Sequence, residues 1–306
     1  MNSSHLSRRN SLKLFALTGT TILAMPNLLL SCDSKRDFKI RFGILTDSHY
    51  ANREPVGTRF YKDSIPKMRE AIATLSTQKL DFLIHLGDFK DQDAGAKTED
   101  TLGYLKKIEA VFQEFEGANY HALGNHDVDS ITKEQFLKKI LNTGQQIAQS
   151  YYAYTANGMQ FIVLDANYDA DGTSHHFAEG SDWENATIPK KEVDWFANLL
   201  ANSDLPTVVF CHHPLYEYYK EGSKFHVTNY AEIQQLMEAN GNVIACFHGH
   251  VHAEDLKEIN GIHYITQLGM VDYEGLENNT FSLVEITPNQ LKIEGYKRAS
   301  NKHITL

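Results

Sequence analysis

The chain has 306 residues, of which 42% are hydrophobic and 22% charged, and a formal charge of −10 at neutral pH. That length and apolar fraction are enough to bury a large core without disulfide staples, and no linker or internal repeat divides the chain into independent units. The acidic balance, with no basic stripe, excludes a duplex DNA or RNA binder, which gathers Lys and Arg against phosphates. A small phosphorylated substrate fits, because bound metal ions would supply positive charge locally.

In chain order, residues 1–32 read as a targeting segment and are set aside from the fold. Ser7-Arg8-Arg9-Asn10-Ser11-Leu12-Lys13 resembles a twin-arginine export signal, an apolar stretch follows over 14–30, and Leu29-Leu30-Ser31-Cys32 resembles a bacterial lipobox. These resemblances imply an exported protein, lipid-anchored through Cys32 to a bacterial membrane and facing the periplasm or the exterior. An uncleaved membrane helix is the other reading, since about 20 apolar residues span a bilayer.

From 38 to 300 one grammar repeats: a short β-type apolar run, a cluster of Asp, His or Asn, then a stretch of helical spacing. The runs at 40–45, 82–86, 120–123, 208–211 and 243–247 lead into TDSH, GDFKD, GNHD, HHP and HGHVH. Helices are predicted over 61–78, 102–115, 133–141, 190–201 and 231–239, with Pro189 as a first-turn proline just inside the fourth. Further strands are predicted at 150–155 and 159–164, joined by an Asn157-Gly158 hairpin turn, and at 262–266, 281–286 and 291–296. This alternation predicts a single α/β domain over 38–300, a layered sheet core with helices outside. Polar clusters at the C-terminal ends of strands mark where such folds place their sites. Cys211 and Cys246, each in an apolar run, are expected to pack as small buried hydrophobes, with a disulfide as the alternative.

The clustered residues are all metal ligands or proton carriers. Asp47 and His49 sit two apart and share a face if the strand persists, as do His250 and His252. Asp88 follows Gly87, Asn125, His126 and Asp127 follow Gly124, and His212 completes the set. One such residue alone is more often structural. Five clusters, each directly after an apolar run, point to a shared site.

TDSH, GDFKD, GNHD, HHP and GHVH, in this order over 46–252, resemble the motifs of the calcineurin-like metallophosphoesterases. The resemblance implies two packed β-sheets sandwiched between helices and a hydrolase of phosphate ester or anhydride bonds that uses two metal ions. Carried over by motif position, one metal is held by Asp47, His49, Asp88 and His252, and the other by Asp88, Asn125, His212 and His250, with Asp88 bridging. Carboxylate, amide and imidazole donors suit Mn, Fe or Zn and disfavour Ca or Mg alone. His126 matches the family's general acid and Asp91 the acid that orients it. Gln92 stands where an arginine is frequent, which leaves Arg53, Arg59 and Lys62 as candidates to hold the phosphate. Asp127 reads as a structural acceptor tying its turn, and Asp165 matches no ligand position.

GTRFYKDS, GIHYIT and NTFSLVEI are similar to the manganese-dependent ADP-ribose/CDP-alcohol diphosphatase branch. That likeness implies hydrolysis of a phosphodiester or diphosphate bond in a small nucleotide-type substrate. A cyclic-nucleotide or glycerophosphodiester phosphodiesterase, a broad phosphomonoesterase and a lipid-anchored binding protein on the same fold are the alternatives. Two segments are expected to wall or cover the site: 166–188, with His175, His176 and Trp183, and 215–229, with Tyr216, Tyr218, Tyr219, Phe225 and His226. Their aromatic rings either stack on a nucleobase or pack as loop core.

Overall fold

The computed structural model describes residues 38–306 apart from 96, 145–148 and 174–182. The expected export and lipid-attachment segment with Cys32, and also His175 and His176, lie outside the described residues. In chain order the described strands are β1 (Ile40–Leu45), β2 (Phe82–His85), β3 (Ala118–His121), β4 (Tyr152–Ala156), β5 (Met159–Leu164), β6 (Thr207–Cys211), β7 (Tyr219–Lys220), β8 (Ser223–Lys224), β9 (Val243–His248), β10 (Asp255–Ile259), β11 (Ile262–Thr266), β12 (Thr280–Thr287), β13 (Gln290–Lys297) and β14 (Lys302–Thr305). The helices are α1 (Ser64–Ser76), α2 (Thr98–Phe112), α3 (Lys133–Leu137), α4 (Lys190–Ala201) and α5 (Tyr230–Asn240).

The strands form two mixed sheets, ordered β14-β13-β12-β1-β2-β3 and β10-β11-β9-β6-β5-β4, plus the β7–β8 hairpin. In the first, β1, β2 and β3 are parallel neighbours; in the second, β5, β6, β9 and β11 are. Period-two alternation explains the layers. From β1, Phe42 points between the sheets, stacking on Phe82 at 4.8 Å and meeting Phe161, Phe210 and Phe247 edge-on at 5.9, 5.8 and 5.9 Å. On the outer face of the first sheet Leu45 and Leu83 pack with Met68, Ile72, Leu105 and Phe112 of α1 and α2. On the outer face of the second, Ile162, Val209 and Cys211 pack with Val193, Phe196, Ile233 and Met237 of α4 and α5. The expected pair of sheets between helices is therefore present.

The predicted elements at 159–164, 190–201 and 262–266 appear with those bounds. Asn157 and Gly158 adopt φ of 47° and 78° between β4 and β5, as a two-residue hairpin turn of this type requires. The helical spacing at 61–78 resolves into a 3-10 turn, Tyr61–Asp63, and then α1; Pro66 in the first turn of α1 has no N–H to extend the hydrogen-bond ladder upstream. The segment expected at 133–141 shortens to α3, started by a Thr132/Gln135 capping box. Pro189 precedes α4 as its extended N-cap residue instead of lying inside it. Strands β10 and β14 escaped the sequence pattern because both are polar edge strands. Cys211 and Cys246 are buried free thiols, with Cys246 Sγ 3.6 Å from Met237 Sδ. No described helix is long and apolar enough to cross a membrane.

Candidate metal centre

The residues after β1, β2 and β3 of one sheet and after β6 and β9 of the other meet at one end of the sandwich. They do not get there by strand alternation, as the two-residue spacing suggested. Strand β1 stops at Leu45, and Asp47, His49 and Asp88 adopt left-handed backbone with φ of 52°, 46° and 52°; His250 and His252 do the same past β9, at 68° and 56°. Each such L-residue costs about 1–2 kcal/mol. Hydrogen bonds hold the turns in place: Asp47 N–H to Gly87 O at 3.0 Å, His49 N–H to Asp88 O at 2.8 Å and Val271 N–H to Asp47 O at 3.0 Å. Two glycines let the turns approach this closely. A Cβ on Gly124 would stand 2.1 Å from Asp88 N, and one on Gly249 would stand 2.5 Å from Asp47 Oδ2.

Four overlapping groups of potential ligands result among the described residues: Asp47 with His49 and His252, and Asp88 with His212 and His250, are the two that hold the expected donors, while His126 joins His49 and Asp88 in a third and Asp91 and Asp129 in a fourth. His49 Nε2 lies 3.0 Å from His252 Nε2 and 3.4 Å from Asp88 Oδ2, while His212 Nε2 lies 3.1 Å from the same Asp88 oxygen. Asp88 thus stands between the groups. The opposite ring nitrogens are anchored: His212 Nδ1 donates to Leu86 O at 2.9 Å, His252 Nδ1 to Asp272 Oδ2 at 2.8 Å, and His49 Nδ1 to Asp91 Oδ2 at 3.1 Å. Such bonds fix the tautomer and aim Nε2 inward, the support a metal-binding histidine needs. Asn125 Oδ1 and His250 Nε2 are buried atoms with no hydrogen-bond partner. Unpaired buried acceptors are costly, and a cation between these side chains would satisfy both. The donor set therefore fits two first-row metal ions.

Electrostatics agree. Burial opposes ionisation of Asp88, but the facing His212, His126 and His49 outweigh it and hold the carboxyl well below its ordinary range. Burial lowers the His212 pKa, yet the charges of Asp88 and Asp47 prevail and push it up to about 9. A metal held by these residues would replace that proton as the counter-charge. Asp127 is raised to about 7 by burial and the neighbouring Asp88 charge. It accepts from Phe89 N and Gly124 N at 2.9 Å each, tying the two ligand loops, which is the structural role expected of it. Asp165 bonds Lys133 and Asn167 away from the centre.

His126 opens the 3-10 turn His126–Val128, with its ring edge-on to His49 at 4.7 Å and its side chain 29% exposed. Its Nδ1 lies 3.5 Å from Asp91 Oδ2 and 3.6 Å from Asp129 Oδ2. Burial disfavours the imidazolium, but Asp91 and Asp88 outweigh it and raise the pKa well above the ordinary histidine value. Asp91 is thus shared, and its shorter contact goes to His49. Asp129 escaped the sequence reading although it lies three residues after His126; Asp272 carried no local signal at all.

A cavity of ≈ 360 Å³ lies over the centre, lined by Arg59, Asp88, Asn125, His126, Trp183, Phe225 and His250. Of the three basic candidates only Arg59 reaches it. Arg53 is tied to Gln92 O at 3.0 Å and lies over the Tyr61 ring, and Lys62 pairs with Glu54 at the surface. Trp183 and Phe225 supply the aromatic wall, with ring centroids 5.8 and 5.3 Å from that of His250. Tyr216 is loop core instead, wholly buried.

Residues 40–254 match the model of the calcineurin-like phosphoesterase family. Over 301 residues the chain is 24% identical to a manganese-dependent ADP-ribose/CDP-alcohol diphosphatase of Oryza sativa subsp. japonica, covering 86% of this chain and 92% of that protein. It is 25% identical over 232 residues to a probable cyclic nucleotide phosphodiesterase of Fibrobacter succinogenes, covering 74% and 77%. A dimetal phosphatase from Danio rerio has the same fold, with a TM-score of 0.75 at 17% identity over 87% of this chain and 98% of that one.

Proposed function

The chain belongs to the calcineurin-like phosphoesterase family, and from that premise, which makes it a metal-dependent hydrolase of phosphate esters or anhydrides, we propose that it cleaves a phosphodiester or diphosphate bond in a small nucleotide-type substrate. One ion is assigned to Asp47, His49, Asp88 and His252, the other to Asp88, Asn125, His212 and His250. Manganese is the preferred ion, after the diphosphatase relatives named for it; iron and zinc suit the same donors. The reading rests on one observation: two ligand groups joined at Asp88 lie beneath a cavity walled by Trp183 and Phe225.

Bound there, the ions would neutralise charge on the phosphoryl oxygens and lower the pKa of an attacking water. His126, whose Nδ1 lies 3.5 Å from Asp91 and 3.6 Å from Asp129, gives a proton to the departing oxygen. Arg59 supplies a fixed positive charge to the phosphate that is not attacked. Trp183 and Phe225 exclude water from one side of the cavity.

The test is kcat/KM of the purified protein with Mn²⁺ on ADP-ribose, CDP-choline, cyclic AMP, a bis-aryl phosphate and a mono-aryl phosphate. The first two should lead by roughly 10-fold or more, the scale of about 1.4 kcal/mol of extra transition-state binding. Cyclic AMP as best substrate would favour the phosphodiesterase alternative, and a mono-aryl phosphate as best would overturn the proposal. We further propose export and lipid attachment at Cys32, on the LLSC sequence that follows Arg8-Arg9 and an apolar stretch. Cys32→Ala should move the protein out of the detergent phase, and unchanged partitioning would remove the anchor.

A further inference from the structure

The loop 269–273, on the His252 side of the centre, is held at every carbonyl. Arg298 Nη2 bonds that of Gly269 at 2.7 Å, Lys67 Nζ bonds those of Met270, Asp272 and Tyr273 at 3.0, 3.0 and 2.6 Å, and Phe60 N–H bonds that of Val271 at 2.9 Å. Lys67 is wholly buried and aims its ammonium at this one loop. At the end of the loop Tyr273 is forced into left-handed backbone, φ 64°, and its own N–H is tied to Thr58 O at 2.7 Å. Glycine or asparagine adopts this conformation at less cost than an aromatic residue does. Core packing does not explain the ring, because Tyr273 is 48% exposed. Strained residues held by their surroundings concentrate at ligand sites.

What the ring faces supplies the reason. Tyr273 lines a second cavity of ≈ 640 Å³ together with Trp183, Phe225, His250, His252 and Arg298. That cavity and the smaller one over the centre share Arg59, Trp183, Phe225 and His250 in their linings, so the two adjoin at these side chains. The Arg298 guanidinium lies 4.9 Å from the Tyr273 ring centroid, fixing the ring by a cation–π contact. A ring already fixed loses little freedom when a planar group stacks on it.

We propose that Tyr273 is the stacking platform for the planar end of the substrate, a nucleobase, which lies in the larger cavity while the scissile phosphate occupies the smaller one. The inference deepens the nucleotide-type reading above and rests on it. Lys67 acts through the loop as a positioning residue, holding the backbone that presents the ring.

The test measures equilibrium binding, by calorimetry on the metal-loaded protein, of AMP and of ribose 5-phosphate, the two halves that diphosphate cleavage of ADP-ribose would leave. Tyr273→Gly removes the ring while suiting the left-handed backbone, so folding is preserved; Tyr273→Phe keeps the ring and removes the hydroxyl. Tyr273→Gly should weaken AMP roughly 10-fold or more, on the scale of one base–aromatic stack. Ribose 5-phosphate should stay within about twofold, and Tyr273→Phe should keep wild-type affinity for AMP. Equal weakening of both ligands would make Tyr273 part of the phosphate site and overturn the proposal. Unchanged AMP binding with ADP-ribose still cleaved would place the base elsewhere, against Trp183 or Phe225, and sink this inference alone. A wild-type protein that neither binds AMP nor cleaves any nucleotide would sink the functional reading with it.

Discussion

Between the sheets Phe42, Phe82, Phe161, Phe210 and Phe247 are buried on regular strands; a few residues further along, Asp47, His49, Asp88, His250 and His252 crowd together on left-handed backbone. The first region asks only for apolar volume of the right shape, and each buried phenylalanine contributes about 1.5–3 kcal/mol by leaving water. The second takes buried charge and backbone strain and needs particular atoms at particular places. One region thus supplies the stability that the other consumes, the usual relation between a scaffold and a reactive site. The separation has a sharp consequence: damage to the centre should appear in metal content and rate, and damage to the core in unfolding.

The severest break is Asp88→Ala, because Asp88 Oδ2 lies 3.4 Å from His49 of one ligand group and 3.1 Å from His212 of the other. The variant should bind well under two metals per chain and lose roughly 10³-fold in kcat/KM, read by metal analysis and turnover. Two bound metals with substantial turnover would remove Asp88 from the bridge. Next, Phe210→Ala empties part of the inter-sheet layer and should cost about 3–5 kcal/mol in denaturant unfolding, with two metals per folded chain retained. Loss of metal without loss of stability would show that the two regions are not separable.

A smaller effect sharpens the comparison inside the centre. His126→Ala should keep its metals and lose roughly 10²-fold on a nucleotide or alkyl ester, with clearly less loss on a nitrophenyl ester, whose leaving group needs no proton. Equal losses across leaving groups of graded pKa would make His126 a phosphate-binding residue and not the acid. Asp129→Asn should give a milder version of that pattern, whereas Asp91→Asn should also disturb metal binding, since Asp91 holds His49. The smallest expected effect belongs to Asp272→Asn. Loosening His252 should weaken one of the two metals by roughly 10- to 100-fold and leave the other alone, seen as one shifted step in a two-step titration of the apo-protein.

Much of the centre was legible because each ligand follows an apolar run in the chain, and TDSH, GDFKD, GNHD, HHP and HGHVH carry the donor types in order. The orientation of these side chains is not legible in the same way. The spacing of Asp47 and His49 suggested a continuing strand, but their direction comes from left-handed turns braced by Gly87 O and Asp88 O, bonds to a neighbouring strand end. Asp129 lies only three residues from His126, close enough for local spacing to mark it. Asp272, Lys67 and Tyr273 belong to a loop and a helix far apart in the chain, and nothing near any of them announces a metal centre.

By itself the sequence determined the layered α/β class and singled out seven candidate donor side chains and His126, because strand alternation and donor chemistry are written within a few consecutive residues. Only the tertiary structure decided that Asp91 is shared between His49 and His126, that Arg59 and not Lys62 reaches the cavity, and that a buried lysine fixes the loop bearing Asp272 and Tyr273. Those facts depend on which turns of two separate sheets meet in space. Distances between residues brought together by folding have no counterpart in local periodicity, so no reading along the chain contains them.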